Sequence, residues 1–141
     1  SRQRSRRRLH KSSNRLMQMS EYYISIRLKK DFGNLSIFAD AMQLKIQNHW
    51  ESSPTGKKYS YCSSKITPSD NDDLNSTILK FLQSIIKYKV EINKFHSQGG
   101  LMSIFISINE KEFKGTIIGG ETIFLLHELK IVLEMDRLSY S

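Results

Sequence analysis

The 141-residue sequence predicts an α+β fold: a two-layer sandwich with a mainly antiparallel sheet, about three helices and ferredoxin-like character. Three observations lead there. Residues 22–29 and 101–108 alternate or run apolar as strands do, Leu74, Ile78, Leu82 and Ile85 repeat at helical spacing, and the two patterns interleave along the chain. Helices interleaved with few strands must cover the apolar side of one sheet.

The elements follow in order. Tyr22, Ile24, Ile26 and Leu28 fall on one side of a strand, with Ser25, Arg27 and Lys29 on the other. After the Asp31-Phe32-Gly33 turn, Asn34 caps a short amphipathic helix whose Leu35, Phe38 and Met42 share a face. Residues 47–58 are polar, with Pro54 and Gly56, and read as a loop that contains Trp50; residues 59–64 read as a second strand. The Ser69-Asp70-Asn71-Asp72-Asp73 run supplies cap residues for the helix of Leu74 to Ile85, and Lys80, Lys87 and Lys89 gather toward its C-terminal end, where the helix dipole favours cations. Residues 101–108 form a strand covered on both sides, Asn109-Glu110-Lys111 turns, and residues 113–118 return as its hairpin partner. Gly119-Gly120 ends that strand, a short helix fills residues 121–130, and residues 131–140 close the fold as a strand.

Charge divides the chain unevenly. Residues 1–18 carry seven Lys and Arg and no carboxylate, so the formal net charge of +8 shrinks to about +1 for the remainder. Two domain segments follow: a basic leader, residues 1–18, expected to be disordered or non-native, and a single α+β domain, residues 19–141. Met17 and Met19 both suit an initiator. If the leader is native, Arg4, Arg6, Arg7 and Arg8 are the residues that would neutralise nucleic-acid phosphates. The leader lacks the apolar stretch of a secretory signal. No run approaches the ~18 apolar residues of a membrane span. The single cysteine, Cys62, cannot close an internal disulfide, which favours a cytoplasmic location.

Residue chemistry points away from an enzyme. His10, His49, His96 and His127 stand in no zinc-ligand spacing, so neither a metal nor a cofactor is expected. Residues 54–58 resemble the end of a phosphate-binding loop, but Glu51 stands where its first glycine belongs and Lys58 where its Ser or Thr belongs. Cys62 lies in a strand pattern and reads as a packed thiol. Glu134 and Asp136 alternate on the last strand and share a face, as a carboxylate dyad or as two solvated charges. Two surfaces remain as partner-binding candidates: Trp50 with His49, Tyr59 and Tyr61 around Lys57 and Lys58, an aromatic and cationic group of hot-spot type, and the acidic Asp70, Asp72 and Asp73, which also suit helix capping.

Residues 22–28, the helix of Leu35 to Leu44, Gly56 ahead of a strand, Asp73-Leu74 opening a Leu/Ile-rich helix, and above all residues 121–136 resemble the bacterial domain of unknown function family 4279. The chain departs from that pattern at Tyr61-Cys62, where a strand tryptophan is usual, and at Leu44-Lys45-Ile46, where a glycine-containing turn is usual. The resemblance implies a small stand-alone bacterial domain without enzyme activity, similar in organisation to immunity proteins. The function expected is therefore a protein-binding module that neutralises a partner toxin by occluding its active site. The alternative is nucleic-acid binding through the Arg-rich arm.

Overall fold

The computed structural model describes residues 20–138. Five strands form one sheet: β1 (Tyr22–Lys30), β2 (Ile46–Trp50), β3 (Ser60–Ile66), β4 (Leu101–Ile108) and β5 (Val132–Arg137). Their spatial order is β2-β3-β1-β4-β5, so the first strand lies at the centre. Three of the four pairings are antiparallel, and β4–β5 is parallel. Four helices accompany the sheet: α1 (Ser36–Ala41), α2 (Leu74–Ile85), α3 (Lys89–Ser97) and α4 (Gly120–Leu129), with a 3-10 turn, Ile86–Tyr88, joining α2 to α3. The architecture is an α+β sandwich.

Alternation in β1 decides which side of the sheet is covered. Tyr22, Ile24, Ile26 and Leu28 are buried, whereas Tyr23, Ser25 and Arg27 remain partly exposed. The buried set joins Met102, Ile104 and Ile106 of β4, Cys62 and Ile66 of β3, and Leu74, Ile78, Leu82, Ile92, Phe95 and Leu129 from the helices in one core. Burial of this apolar surface is the main stabilising term. All the helices therefore lie on one face and the opposite face of the sheet stays open, so β4, expected to be covered on both sides, is covered by helices on one only.

Helix ends follow local chemistry. The Asp73 carboxylate accepts the Ser76 amide at 2.8 Å and caps α2. Asn34 accepts the Ser36 amide at 2.8 Å, so it caps α1 from one residue before the helix-flanking Leu35. The inward residues of α1 are Leu35, Ala39 and Met42, while Phe38 stacks on Phe95 of α3 at 4.5 Å with the rings 7° from parallel. At the end of α4, Lys130 takes a left-handed conformation, φ 54°, and reverses the chain into β5.

Four expectations are corrected. Residues 47–50, expected as the start of a loop, belong to β2, an edge strand whose register shifts between Ile46 and Asn48. Residues 113–118, expected as the hairpin partner of β4, form no strand. The outer edge of β4 belongs to β5, and a parallel pair requires a crossover, so this segment climbs to the helical layer, where Asn75 Oδ1 accepts the Gly119 amide at 2.9 Å and the Thr122 hydroxyl at 2.8 Å. Helix α3 was not expected. Finally, Lys80 does not serve the helix C-terminus: it pairs with Asp72 at 2.9 Å, while Lys89 begins α3 and bridges to Glu128 of α4 at 2.7 Å.

Candidate functional site

The open sheet face gathers most of the residues that could meet a partner. Cross-strand register places Trp50 opposite Tyr61, and Tyr61 opposite Lys29. The Trp50 and Tyr61 rings stack with centroids 4.4 Å apart and planes 21° from parallel, and Tyr59 packs against Trp50 at 5.8 Å. Cations complete the cluster. Lys57 Nζ lies 4.7 Å from the Trp50 ring centroid, and Lys29 Nζ lies 4.2 Å from that of Tyr59. Such contacts are electrostatic attractions of roughly 0.5–1 kcal/mol at exposed sites. Further along the face the Arg27 guanidinium lies 3.6 Å above the Phe105 ring.

The structure therefore brings Trp50, Lys57, Tyr59 and Tyr61 together, as the sequence suggests, and adds Lys29. Lys29 was invisible as a site residue because its membership depends on the pairing of β1 with β3. Trp50 also ends an edge strand: β2 pairs with β3 alone, leaving the backbone groups on its other side unpaired by any strand. The indole Nε1 of Trp50 and the Nε of Arg27 are buried without a hydrogen-bond partner among the described residues.

The acidic group is elsewhere and otherwise engaged. Asp73 caps α2, and its carboxyl is held below the usual carboxylate range by the backbone and side chain of Ser76. Asp72 pairs with Lys80 and gives its carbonyl to the Tyr22 hydroxyl at 3.2 Å. Asp70 is exposed. Tyr22 and Lys29 stand at opposite ends of β1, so seven residues of strand, roughly 23 Å, separate the acids from the Trp50 cluster. The two candidate surfaces do not merge. Arg4, Arg6, Arg7 and Arg8 lie outside the described residues.

The remaining chemical candidates take structural places. Cys62 is fully buried in the core, and burial, assisted by the charge of Asp40, pushes its thiol up to about 11. Glu134 accepts the Ser103 hydroxyl at 2.6 Å, and Asp136 accepts the amide of Arg137 at 2.7 Å; both carboxylates sit on the exposed β5 edge. His96 places Nδ1 3.2 Å from the Gly100 carbonyl and Nε2 2.9 Å from that of Leu129, tying the end of α3 to the end of α4. Among the described residues no three His, Cys, Asp or Glu side chains group as a metal site would require, and no helix is long and apolar enough to cross a membrane.

No protein-family model matches the chain, and neither a curated protein nor a solved structure matches it.

Proposed function

We propose that the chain is a non-enzymatic binding module whose working surface is the open sheet face around Trp50, and that its partner is a protein. The observation that carries this reading is the Trp50–Tyr61 stack at an edge strand whose outer side pairs with no other strand, flanked by Tyr59, Lys57 and Lys29. Trp and Tyr present large, rigid contact area, and hot spots are enriched in both. The surface fits a partner with an apolar cleft rimmed by carboxylates. Many hydrolase active sites have that composition, because carboxylates hold metals or work as acid and base. An immunity-type protein that occludes such a site in a bacterial toxin, working in the cytoplasm, is the form of this reading that we favour. The acidic residues contribute less to it, since Asp72 and Asp73 are engaged by the fold.

The test is affinity capture from the native host with the wild-type chain and a Trp50→Ala, Tyr59→Ala variant in parallel, followed by titration with the purified captured protein. The reading expects a stoichiometric protein held by the wild type and weakened at least thirtyfold by the variant, as loss of ~2 kcal/mol at a hot spot implies. A captured protein that binds both equally well rejects this surface.

One observation favours a second reading. Aromatic rings interleaved with cations are also how proteins hold single-stranded nucleic acid, with bases stacked on the rings and phosphates on the lysines. The Arg-rich arm would then add phosphate contacts. Binding of a labelled oligonucleotide that falls steeply with salt and is lost on deleting residues 1–18 supports it; salt-insensitive or absent binding removes it.

A further inference from the structure

Helix α1, with the two residues before it, and helix α3 enclose a groove of about 390 Å³. Its apolar walls are Leu35, Phe38 and Phe95, with Ile37 and Ala41 exposed at the rim. The stacked Phe38 and Phe95 rings join its two sides. Five polar side chains also border it: Lys30, Asn34, Glu91, Lys94 and Gln98. Asn34 is occupied by the amide and hydroxyl of Ser36, at 2.8 Å and 2.5 Å. Glu91 and Lys94 stand three residues apart on α3, so their charges offset each other. Lys30 is left over. It continues the inward alternation of Tyr22, Ile24, Ile26 and Leu28, so the apolar row of β1 ends in an ammonium on the helical side. There Nζ donates to the neutral amide oxygen of Gln98 at 3.3 Å, and Lys30 makes no ion pair among the described residues.

We infer that this groove binds a small monocarboxylate with an apolar tail, the carboxylate on Lys30 and the tail along Ile37, Phe38 and Phe95. A carboxylate gives the Lys30 ammonium the counter-charge it lacks and accepts a charge-assisted hydrogen bond from it. The tail takes apolar surface of the groove, and its own, out of water. Each half of the ligand is needed: a bare anion leaves the apolar walls wet, and a neutral amphiphile leaves the ammonium without an opposite charge. The volume lies in the range of small-molecule sites. The groove belongs to the helical layer and shares no residue with the open sheet face, so it stands or falls independently of the proposed partner surface.

The test titrates the full chain with octanoate, hexanoate, acetate and octanol, read by amide and aromatic NMR shifts and by calorimetry. Octanoate is expected to bind saturably, with the largest shifts at Ile37, Phe38 and Phe95. Hexanoate, two methylenes shorter, should bind about tenfold more weakly, and acetate should not bind measurably. Octanol keeps the tail without the charge and should also bind about tenfold more weakly than octanoate. Lys30→Gln should weaken octanoate about tenfold and leave octanol unchanged, a split that a general loosening of the fold does not produce. Ala41→Trp, at an exposed position on the groove wall, should abolish binding of both while keeping the wild-type circular dichroism. Absence of saturable shifts up to millimolar octanoate overturns the inference. So do equal affinities for octanoate and octanol, a Lys30→Gln variant that weakens both alike, or perturbations centred away from the groove.

Discussion

The hydroxyls of Tyr22 and Thr77 meet 2.6 Å apart in the interior, joining the central strand to the first turn of α2. Each oxygen also lies near a carbonyl, Tyr22 Oη 3.2 Å from that of Asp72 and Thr77 Oγ1 3.1 Å from that of Asp73, so two hydroxyl protons are shared among three contacts. The acidic segment is thus held to the sheet from below. Burial and the nearby Asp72, Asp73 and Glu21 charges raise the Tyr22 phenol above its usual value, with the Thr77 hydrogen bond opposing them. Tyr22→Phe removes one buried hydroxyl and leaves Thr77 its bond to Asp73. It should cost about 1 kcal/mol in urea unfolding with an unchanged slope.

Asp73→Ala removes the α2 cap and should cost about 1 kcal/mol. The folded-state carboxyl titrates below its unfolded value, so this contribution is present above about pH 4 and disappears as pH falls through the lower folded value. Denaturation curves of wild type and variant, measured from pH 7 downward, should therefore converge in acid. A difference that persists undiminished below pH 2 would show that the cap works through something other than its charge.

Cys62 should be inert toward disulfide reagents in the native state. With its thiol pushed up to about 11, the thiolate fraction at neutral pH is on the order of 1 in 10,000, and the side chain has no solvent contact. Modification by an aromatic disulfide should follow the unfolding rate and speed up with denaturant. Rapid labelling in buffer would contradict the packing of β3 against the helices.

Gly100 lies beneath the Phe95 ring, where an added Cβ would approach ring carbons to 2.4–2.5 Å. That ring is itself stacked on Phe38, so it cannot move without disturbing the α1–α3 contact. Gly100→Ala should cost about 1–3 kcal/mol by overpacking. Combining it with Phe95→Leu should cost less than the two changes summed, because the smaller side chain vacates the space. Strict additivity in calorimetric or urea measurements would refute the steric account.

The central strand and the longest helix were legible because their patterns are strict: Ile24, Ile26 and Leu28 alternate, and Leu74, Ile78, Leu82 and Ile85 keep helical spacing. Helix α3 was not expected, although Tyr88, Ile92 and Phe95 fall at helical spacing, because Lys87 and Lys89 suit the C-terminal end of α2 as well. β2 carried no such signal. Its Gln47, Asn48 and His49 are exposed on an edge, and only the partner strand β3 makes the segment extended. Most of the candidate site, Trp50 with Lys57, Tyr59 and Tyr61, lies close in sequence and could be seen there. Lys29 joins it through register, which local pattern does not encode.

The strand order has a consequence for how the chain matures. The sheet is assembled around β1, the earliest of its strands to be synthesised, and both of that strand's neighbours come later, β3 some thirty residues on and β4 about seventy. A nascent chain stopped before Leu101 would therefore hold the innermost ribbon of the final structure with one long, apolar flank bare, the condition under which chains stick to one another.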